Sequence, residues 1–274
     1  MMEALFAFLF GLAIGSFLNV CIYRWPRDLS VVRPRSHCPA CEKTIAWYDN
    51  IPLLSYALLG GRCRHCRARI SIRYPVVELT TGLLFAYFAL QGGPILAALK
   101  MCVFAAILTG LVFSDLEERI LPDEFTLGGT LAGLAFAGFV PTGISAGAPE
   151  SSGQILYWIL GVNPSARVDS LLESVLGAAL PAAFLWAGGW LFQKIRHREG
   201  LGLGDVKLVA MAGSFLGLRG ALFTLFVGSL AGSILGYGYI RFTHKDPATY
   251  ELPFGTFLGA AALLVTMAGP GMLP

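Results

Sequence analysis

Apolar runs of about 20 residues dominate the chain and alternate with short polar stretches. A run of that length is what an α-helix needs to cross the hydrocarbon core of a bilayer. Hydrophobic residues make up 55% of the chain and charged residues only 14%, whereas about 25% charged residues is usual for a soluble domain. This composition excludes a soluble globular domain and also a disordered chain. The sequence therefore predicts an all-α polytopic membrane protein.

The positions of these runs predict about eight transmembrane helices. Their approximate limits are residues 4–23, 75–92, 95–114, 124–141, 172–193, 205–218, 220–241 and 254–272. The sixth run is short and begins in a glycine-rich turn. The first run is preceded by Glu3 and by no Lys or Arg, and no small-residue cleavage site stands before Arg24. These features favour a retained first span over a secretory signal.

The distribution of positive charge predicts the orientation, because Lys and Arg in short loops stay on the cytoplasmic side. Segment 24–73 alone holds ten of the twenty Lys and Arg residues. Three further segments bring the total to seventeen: 114–123, 194–207 and 241–253. We expect these segments to face the cytoplasm and both termini to face outward, with the long segment 142–171 outside and an interfacial patch at 155–160. Lys100, one of the exceptions, is expected to extend its ammonium group to the interface.

Four of the six cysteines form two C-x₂-C pairs in the basic segment, with 21 residues between the pairs: Cys38, Cys41, Cys63 and Cys66. Disulfides are disfavoured in a reducing cytosol, whereas four thiolates at this spacing form a tetrahedral zinc site. A loop of this size cannot bury enough apolar surface to fold alone, so the metal would supply most of its folding free energy. We predict a structural Zn²⁺ site, with a redox pair of cysteines as the alternative.

Two acidic residues stand where predicted helices reach the cytoplasmic face: Asp115 ends the third run and Asp205 opens the sixth. An ionisable side chain at that depth is costly and marks a functional site. Two carboxylates held close together share a proton, so one activates water while the other donates to the scissile carbonyl. Gly202 and Gly204 would let a substrate backbone approach. The alternative is that each Asp caps a helix or pairs with a cation such as Lys207.

The order of short motifs along almost the whole chain resembles the type IV prepilin peptidases, bifunctional leader peptidases and N-methyltransferases. Besides the two C-x₂-C pairs, the matching segments are residues 15–20 (GSFLNV), 23–24 (YR), 70–71 (IS), 74–78 (YPVVE), 115 with 121–123 (D and LPD), 202–207 (GLGDVK) and 253–255 (PFG). The resemblance implies that Asp115 and Asp205 form the catalytic dyad of a membrane aspartic peptidase. At one position the chain departs from the family, since Thr256 replaces the Pro that usually follows Pro-Phe-Gly.

The resemblance also implies a two-step reaction at the cytoplasmic face of the bacterial inner membrane. The dyad would cleave the basic leader of a prepilin or pseudopilin after a Gly, and the new amino terminus would be methylated from S-adenosylmethionine. The chain would then comprise a first transmembrane helix (1–23), a cytoplasmic zinc-binding loop domain (24–74) and a transmembrane aspartic peptidase domain (75–274). Its expected partners are these substrates and the lipid bilayer, and the small net charge of +3 gives no indication of nucleic acid.

Residues for methyl transfer cannot be read from a nucleotide-binding motif, because no G-x-G-x-x-G follows a strand. Gly61, Glu78 and the zinc loop are the candidates for holding the methyl donor. The alternatives are that Glu78 is a structural carboxylate paired with Arg73 and that Gly61 is an ordinary turn residue.

Residues 115–124 stand out because they are acidic, with a single Arg119, while nearly every other cytoplasmic segment is basic. The acidic residues are Asp115, Glu117, Glu118, Asp123 and Glu124. We expect Glu117 and Glu118 to bind the Lys and Arg residues of the leader and so place its cleavage site near Asp115. The alternative is that the two glutamates pair with arginines of the zinc loop.

Overall fold

The computed structural model describes residues 1–142, 161, 165–197, 200–243 and 252–268. In this part of the chain the regular structure is helical, apart from two isolated backbone bridges in the polar loop. The α-helices are α1 (Met2–Arg24), α2 (Leu54–Leu58), α3 (Arg73–Leu90), α4 (Ile95–Glu118), α5 (Asp123–Ala137), α6 (Ala166–Arg196), α7 (Leu203–Thr243) and α8 (Phe254–Ala268). The all-helical prediction is confirmed, while the patch expected at 155–160 lies outside the described residues.

Four of the described helices are long and apolar enough to cross a membrane: α1 with the turn that follows it, α4, α6 and α7. Each of the eight predicted runs overlaps a helix. However, α5 and α8 have only 15 residues each, fewer than the roughly 20 that span a bilayer. The predicted count of about eight spans is therefore not confirmed.

Helix α7 has 41 residues and contains both the sixth and the seventh predicted runs, which are separated by a break at Gly217. The φ of 73° and ψ of −177° at Gly217 are not helical, and a side chain would be strained there. The break frees the N–H of Leu218, which donates to Oε2 of Glu173 in α6 at 3.2 Å. Because Gly177 lies against the backbone of Gly213 and Gly217, α6 and α7 approach closely, as helices in membranes do through small residues.

The chain divides into two compact units, residues 1–114 and 115–274. In the first unit α1 packs on α3 through small residues, since a methyl group at Gly15 would lie 2.6 Å from Cα of Glu78. Asn19 Nδ2 in α1 donates to the carbonyl oxygen of Tyr74 in α3 at 3.1 Å. The packing positions Glu78 beside the polar loop that connects the two helices. In the second unit, the last turn of α4 carries Asp115, Glu117 and Glu118, and the start of α7 carries Asp205.

Candidate active site and metal centre

Asp115 lies one turn before the end of α4 and is only 5% exposed. Its Oδ2 accepts two hydrogen bonds from Thr256 in the first turn of α8. The backbone N–H of Thr256 donates at 2.6 Å and its hydroxyl at 2.8 Å. First-turn N–H groups have no acceptor within their own helix, so the carboxylate of Asp115 serves as a cap for α8.

Asp205 lies in the first turn of α7 and is half-buried. Its backbone N–H donates to the carbonyl oxygen of Gly202 at 3.2 Å, which closes the turn that leads into the helix. Its carboxylate lies close enough to that of Asp115 for the two charges to interact. The second unit thus brings together the two acidic residues that the sequence singled out, 90 residues apart in the chain.

Leu121 packs against the starts of α7 and α8, next to the residues that neighbour these carboxylates. A methyl group at Gly204 would lie 3.2 Å from Cβ of Leu121, and one at Gly255 would lie 2.9 Å from its Cδ1. The methyl group at Gly255 would also lie 3.2 Å from Cγ of Asp115. The missing side chain of Gly204 therefore makes room for Leu121, whereas Gly202 is the exposed glycine of the pair. Sequence reasoning singled out neither Leu121 nor Thr256 as a site residue.

The acidic turn after Asp115 begins in the last turn of α4, where Glu117 is exposed and Glu118 is half-buried. Asp123 opens α5, and its Oδ1 pairs with Nζ of Lys207 in α7 at 2.6 Å. Lys207 thus pairs with Asp123, in place of the pairing with Asp205 that the sequence left open. This ion pair joins the start of α5 to the start of α7.

The four loop cysteines form one cluster in the first unit. Their sulfur atoms all lie within 4.8 Å of one another, and the Cys38 and Cys66 sulfurs are 3.8 Å apart. A tetrahedral zinc ion with Zn–S bonds of about 2.3 Å requires neighbouring sulfurs about 3.8 Å apart. All six cysteines of the chain are free thiols. The donor set and its spacing therefore fit a tetrahedral metal ion.

Each C-x₂-C pair makes the same turn, which explains how the cluster forms. Cys38 N–H donates to Lys43 O, and Cys63 N–H donates to the equivalent carbonyl of Ala68, at 3.0 and 2.8 Å. The residue after the second cysteine of each pair has a positive φ, 56° at Glu42 and 61° at Arg67. Such matched turns direct both thiols of a pair toward one point.

Two further features of the cluster involve charged groups: the ionisation of its thiols and an ion pair beside it. Backbone N–H groups of Cys66 and His65 lower the pKa of the Cys63 thiol to about 6. Against the effect of a backbone hydrogen bond at Ala68, burial and the three neighbouring cysteines raise the pKa of Cys66 to about 11, so Cys63 ionises before Cys66. Arg64 Nη2 and Nε donate to both carboxylate oxygens of Asp49 at 2.6 to 3.0 Å. This bidentate pair ties the second turn to the 3₁₀ helix at Trp47–Asn50.

The two methyl-transfer candidates lie on different elements, Glu78 in α3 and Gly61 in the polar loop. Glu78 is 7% exposed, and its Oε2 accepts the N–H of Leu53 at 2.9 Å while its carboxylate also hydrogen-bonds the Ser16 side chain. Ser16 lines a cavity of about 480 Å³ that is also lined by Arg24, Trp47 and Asn50. Gly61 lies in the turn after α2, where its positive φ of 65° suits a glycine.

Two family models match the chain in succession. The bacterial peptidase A24 N-terminal domain matches residues 9–91, and the type IV leader peptidase family matches residues 102–237. The second match contains both Asp115 and Asp205, and the first contains the four cysteines.

Curated proteins named prepilin leader peptidase/N-methyltransferase are similar over most of the chain. One from Myxococcus xanthus is 41% identical over 85% of this chain, which spans 62% of that relative. One from Aeromonas salmonicida is 34% identical over 96% of this chain and 89% of the relative. One from Pseudomonas aeruginosa is 32% identical over 95% of this chain and 89% of the relative. No solved structure matches significantly. The family models and these relatives confirm the resemblance seen in the motifs, and the chain belongs to the type IV leader peptidase family and is a peptidase.

Proposed function

We propose that the protein cleaves the leader peptide of prepilins or pseudopilins after a Gly and then N-methylates the new amino terminus. The observation that carries this proposal is the approach of Asp115 and Asp205 within the segment that matches the leader peptidase model. The relatives' names, which join a peptidase to an N-methyltransferase, support two activities in one chain. Methylation of this kind uses S-adenosylmethionine as the methyl donor.

Cleavage would use the two carboxylates with one shared proton. The ionised carboxylate takes a proton from water as the water oxygen attacks the carbonyl carbon, and the protonated carboxyl donates its proton to the carbonyl oxygen. The tetrahedral intermediate then collapses, the C–N bond breaks, and the departing amine receives a proton from the dyad. Burial of Asp115 keeps bulk water away from this exchange.

The proposed setting is the cytoplasmic face of the bacterial inner membrane, with both termini outward. The concentration of Lys and Arg in segment 24–73 supports this orientation. The three-part division into residues 1–23, 24–74 and 75–274 belongs to the same proposal. In the proposed orientation, the cysteine cluster and the carboxylate pair would face the cytoplasm, where the leader peptide is still attached to the substrate.

The four cysteine thiolates would hold a structural Zn²⁺. Their four-sulfur donor set leaves no open coordination position, so the ion would stabilise the loop without contacting substrate. The fit of the sulfur spacing to a tetrahedron supports this assignment.

The methyl donor would bind in the first unit, in the cavity beside Glu78. Its volume lies within the roughly 300–1,000 Å³ that is usual for small-molecule sites. Trp47 offers an aromatic face for an adenine ring. Glu78 hydrogen-bonds Ser16, which lines the cavity, and the N–H of Leu53, which follows the lining residue Pro52. Gly61 would act only through the shape of the loop.

The proposed function is tested with the purified protein in lipid, incubated with a prepilin in the presence and absence of S-adenosylmethionine. The expected products, weighed by mass spectrometry, are a protein without its leader and, with the methyl donor, the same protein plus one methyl group. Cleavage without methylation would indicate an intramembrane aspartyl protease with another role. No cleavage of any prepilin or pseudopilin would contradict the proposal.

Replacing Glu78 with Gln is expected to weaken methyl-donor binding by about ten- to a hundredfold, because it weakens the hydrogen bonds of the charged carboxylate to Ser16 and Leu53 beside the cavity, and such bonds are worth about 1.5–3 kcal/mol. Methylation should fall accordingly, while cleavage stays within about twofold of the wild type, since the dyad lies in the other unit. Equilibrium binding of S-adenosylmethionine, measured without substrate, gives a readout independent of turnover. Unchanged binding would place the methyl donor elsewhere.

Replacing Glu117 and Glu118 together with Gln is expected to raise KM for a basic leader by about two- to thirtyfold, because exposed ion pairs contribute about 0.2–1 kcal/mol each. The kcat should change little, and KM should depend less on salt. Initial rates at low and high ionic strength provide the measurement. The control is Glu3→Gln with Asp28→Asn, which removes the same charge elsewhere. An unchanged KM at low salt would refute leader binding at this turn.

A further inference from the structure

Thr256 donates two hydrogen bonds to Asp115, a contact that the sequence does not predict. We propose that Thr256 is a positioning residue, which fixes the carboxylate of Asp115 in one orientation through two hydrogen bonds to a single oxygen. The inference rests on the proposed peptidase function, in which Asp115 is one half of the dyad.

The geometry of the two bonds explains the fixation. A carboxylate has two equivalent oxygens that exchange places when the group turns about its Cβ–Cγ bond. Here the N–H and the hydroxyl of Thr256 both donate to Oδ2, at 2.6 and 2.8 Å. Any rotation of the carboxylate smaller than a half-turn would break both bonds at once, so its plane is fixed and one oxygen, here Oδ2, remains with Thr256. Oδ1 is then the oxygen left to contact water and to share the proton with Asp205.

The packing around the carboxylate restricts it further. A methyl group at Gly255 would approach Cγ of Asp115 to 3.2 Å and the side chain of Leu121 to 2.9 Å. The backbone at Gly255 thus lies directly against the carboxyl group on the side of α8. A catalytic group held this closely keeps its reactive geometry, and a misplacement of about 1 Å can cost about a hundredfold in rate.

The chemistry depends on the residue type at position 256. The hydroxyl and the N–H are both donors, whereas a proline, the usual residue at this point of the resembled motif, has neither. The contact with two hydrogen bonds therefore depends on Thr256 of this chain, and a chain with the usual proline of the motif could not make it. Its loss is expected to slow the reaction, not to abolish it.

The test compares three single variants in lipid with a prepilin substrate. Thr256→Val keeps the shape and the N–H but removes the hydroxyl, and we expect kcat to fall about ten- to a hundredfold, the effect of losing one hydrogen bond to a charged group. KM should stay within about twofold. Thr256→Ser keeps both donors and should restore kcat to within about twofold of the wild type. The matched control is Thr266→Val in the same helix, whose hydroxyl donates to Ala262 O at 2.7 Å, and its kcat should be unchanged.

Melting temperatures of all variants check that each is folded. The proposal is overturned if Thr256→Val keeps the wild-type kcat, if Thr256→Ser is as slow as the valine variant, or if Thr266→Val is equally slow. Asp115→Asn, assayed in parallel, separates this proposal from the function itself. An active Asp115→Asn enzyme would refute the dyad, whereas an inactive one beside a fully active Thr256→Val would refute only the positioning role.

Discussion

Replacing Asp115 or Asp205 with Asn is expected to abolish leader cleavage, with kcat lowered by several orders of magnitude in either variant. An amide is close in shape to a carboxylate, so the fold is kept, but it neither takes a proton from water nor donates one as an acid does. Because the two groups act as a unit, the double variant should be no slower than the slower single variant. Single-turnover cleavage of a prepilin in lipid is the measurement.

The matched control is Asp169→Asn, which makes the same change in the first turn of α6 and should leave kcat unaltered. Melting temperatures and the metal content of the cysteine cluster, measured on the same samples, together show whether the inactive variants remain folded. If either dyad variant kept more than about a tenth of wild-type turnover, the activation barrier would have risen by less than about 1.4 kcal/mol. That aspartate would then not be catalytic.

The carboxylate pair and the cysteine cluster were predictable because their chemistry is unusual for their surroundings. A carboxylate at the end of an apolar run is costly, so Asp115 and Asp205 attract attention even without a family. Two C-x₂-C pairs have few other uses in a reducing compartment. The structure brings each set together, which spacing alone suggested but did not establish.

Thr256 and Leu121 were not predictable as site residues for the opposite reason. A threonine and a leucine near apolar runs are ordinary residues, and their roles arise from contacts across the fold. Thr256 meets Asp115 across 141 positions of the chain, and Leu121 fills the spaces that Gly204 and Gly255 leave open. The departure from the family motif at position 256 was the one sequence signal that pointed there.

The sequence predicted correctly that the apolar runs are helical, but the predicted number of membrane spans is not confirmed. The non-helical backbone at Gly217, near the end of the sixth run, divides α7 into two helical segments that correspond to the sixth and seventh runs. Lys100 was expected to reach the interface, but its side chain is fully buried in α4. Hydropathy locates apolar runs, whereas packing between helices decides which polar side chains are enclosed.

Replacing any one of Cys38, Cys41, Cys63 or Cys66 with Ser is expected to remove the bound metal and to unfold the loop. A closed four-thiolate site has no spare ligand, and structural zinc contributes about 10–16 kcal/mol of folding free energy in small zinc-dependent domains. Since Glu78 accepts the loop N–H of Leu53, unfolding would also disturb the proposed methyl-donor cavity. Methylation should therefore fall at least as much as cleavage. Metal analysis and loop proteolysis are the measurements.

The matched control is Cys102→Ala, which removes a buried thiol of α4 that lies apart from the cluster, and it should keep one metal ion per chain. A strong chelator should reproduce the effect of the serine variants on the wild type, and added Zn²⁺ should reverse it, because the ion supplies folding free energy without taking part in catalysis. Protein purified without chelator and found to hold no zinc would contradict the assignment. Loss of prepilin cleavage, with intact methylation of a pilin supplied without its leader, would show that the loop serves the dyad instead of the methyl donor.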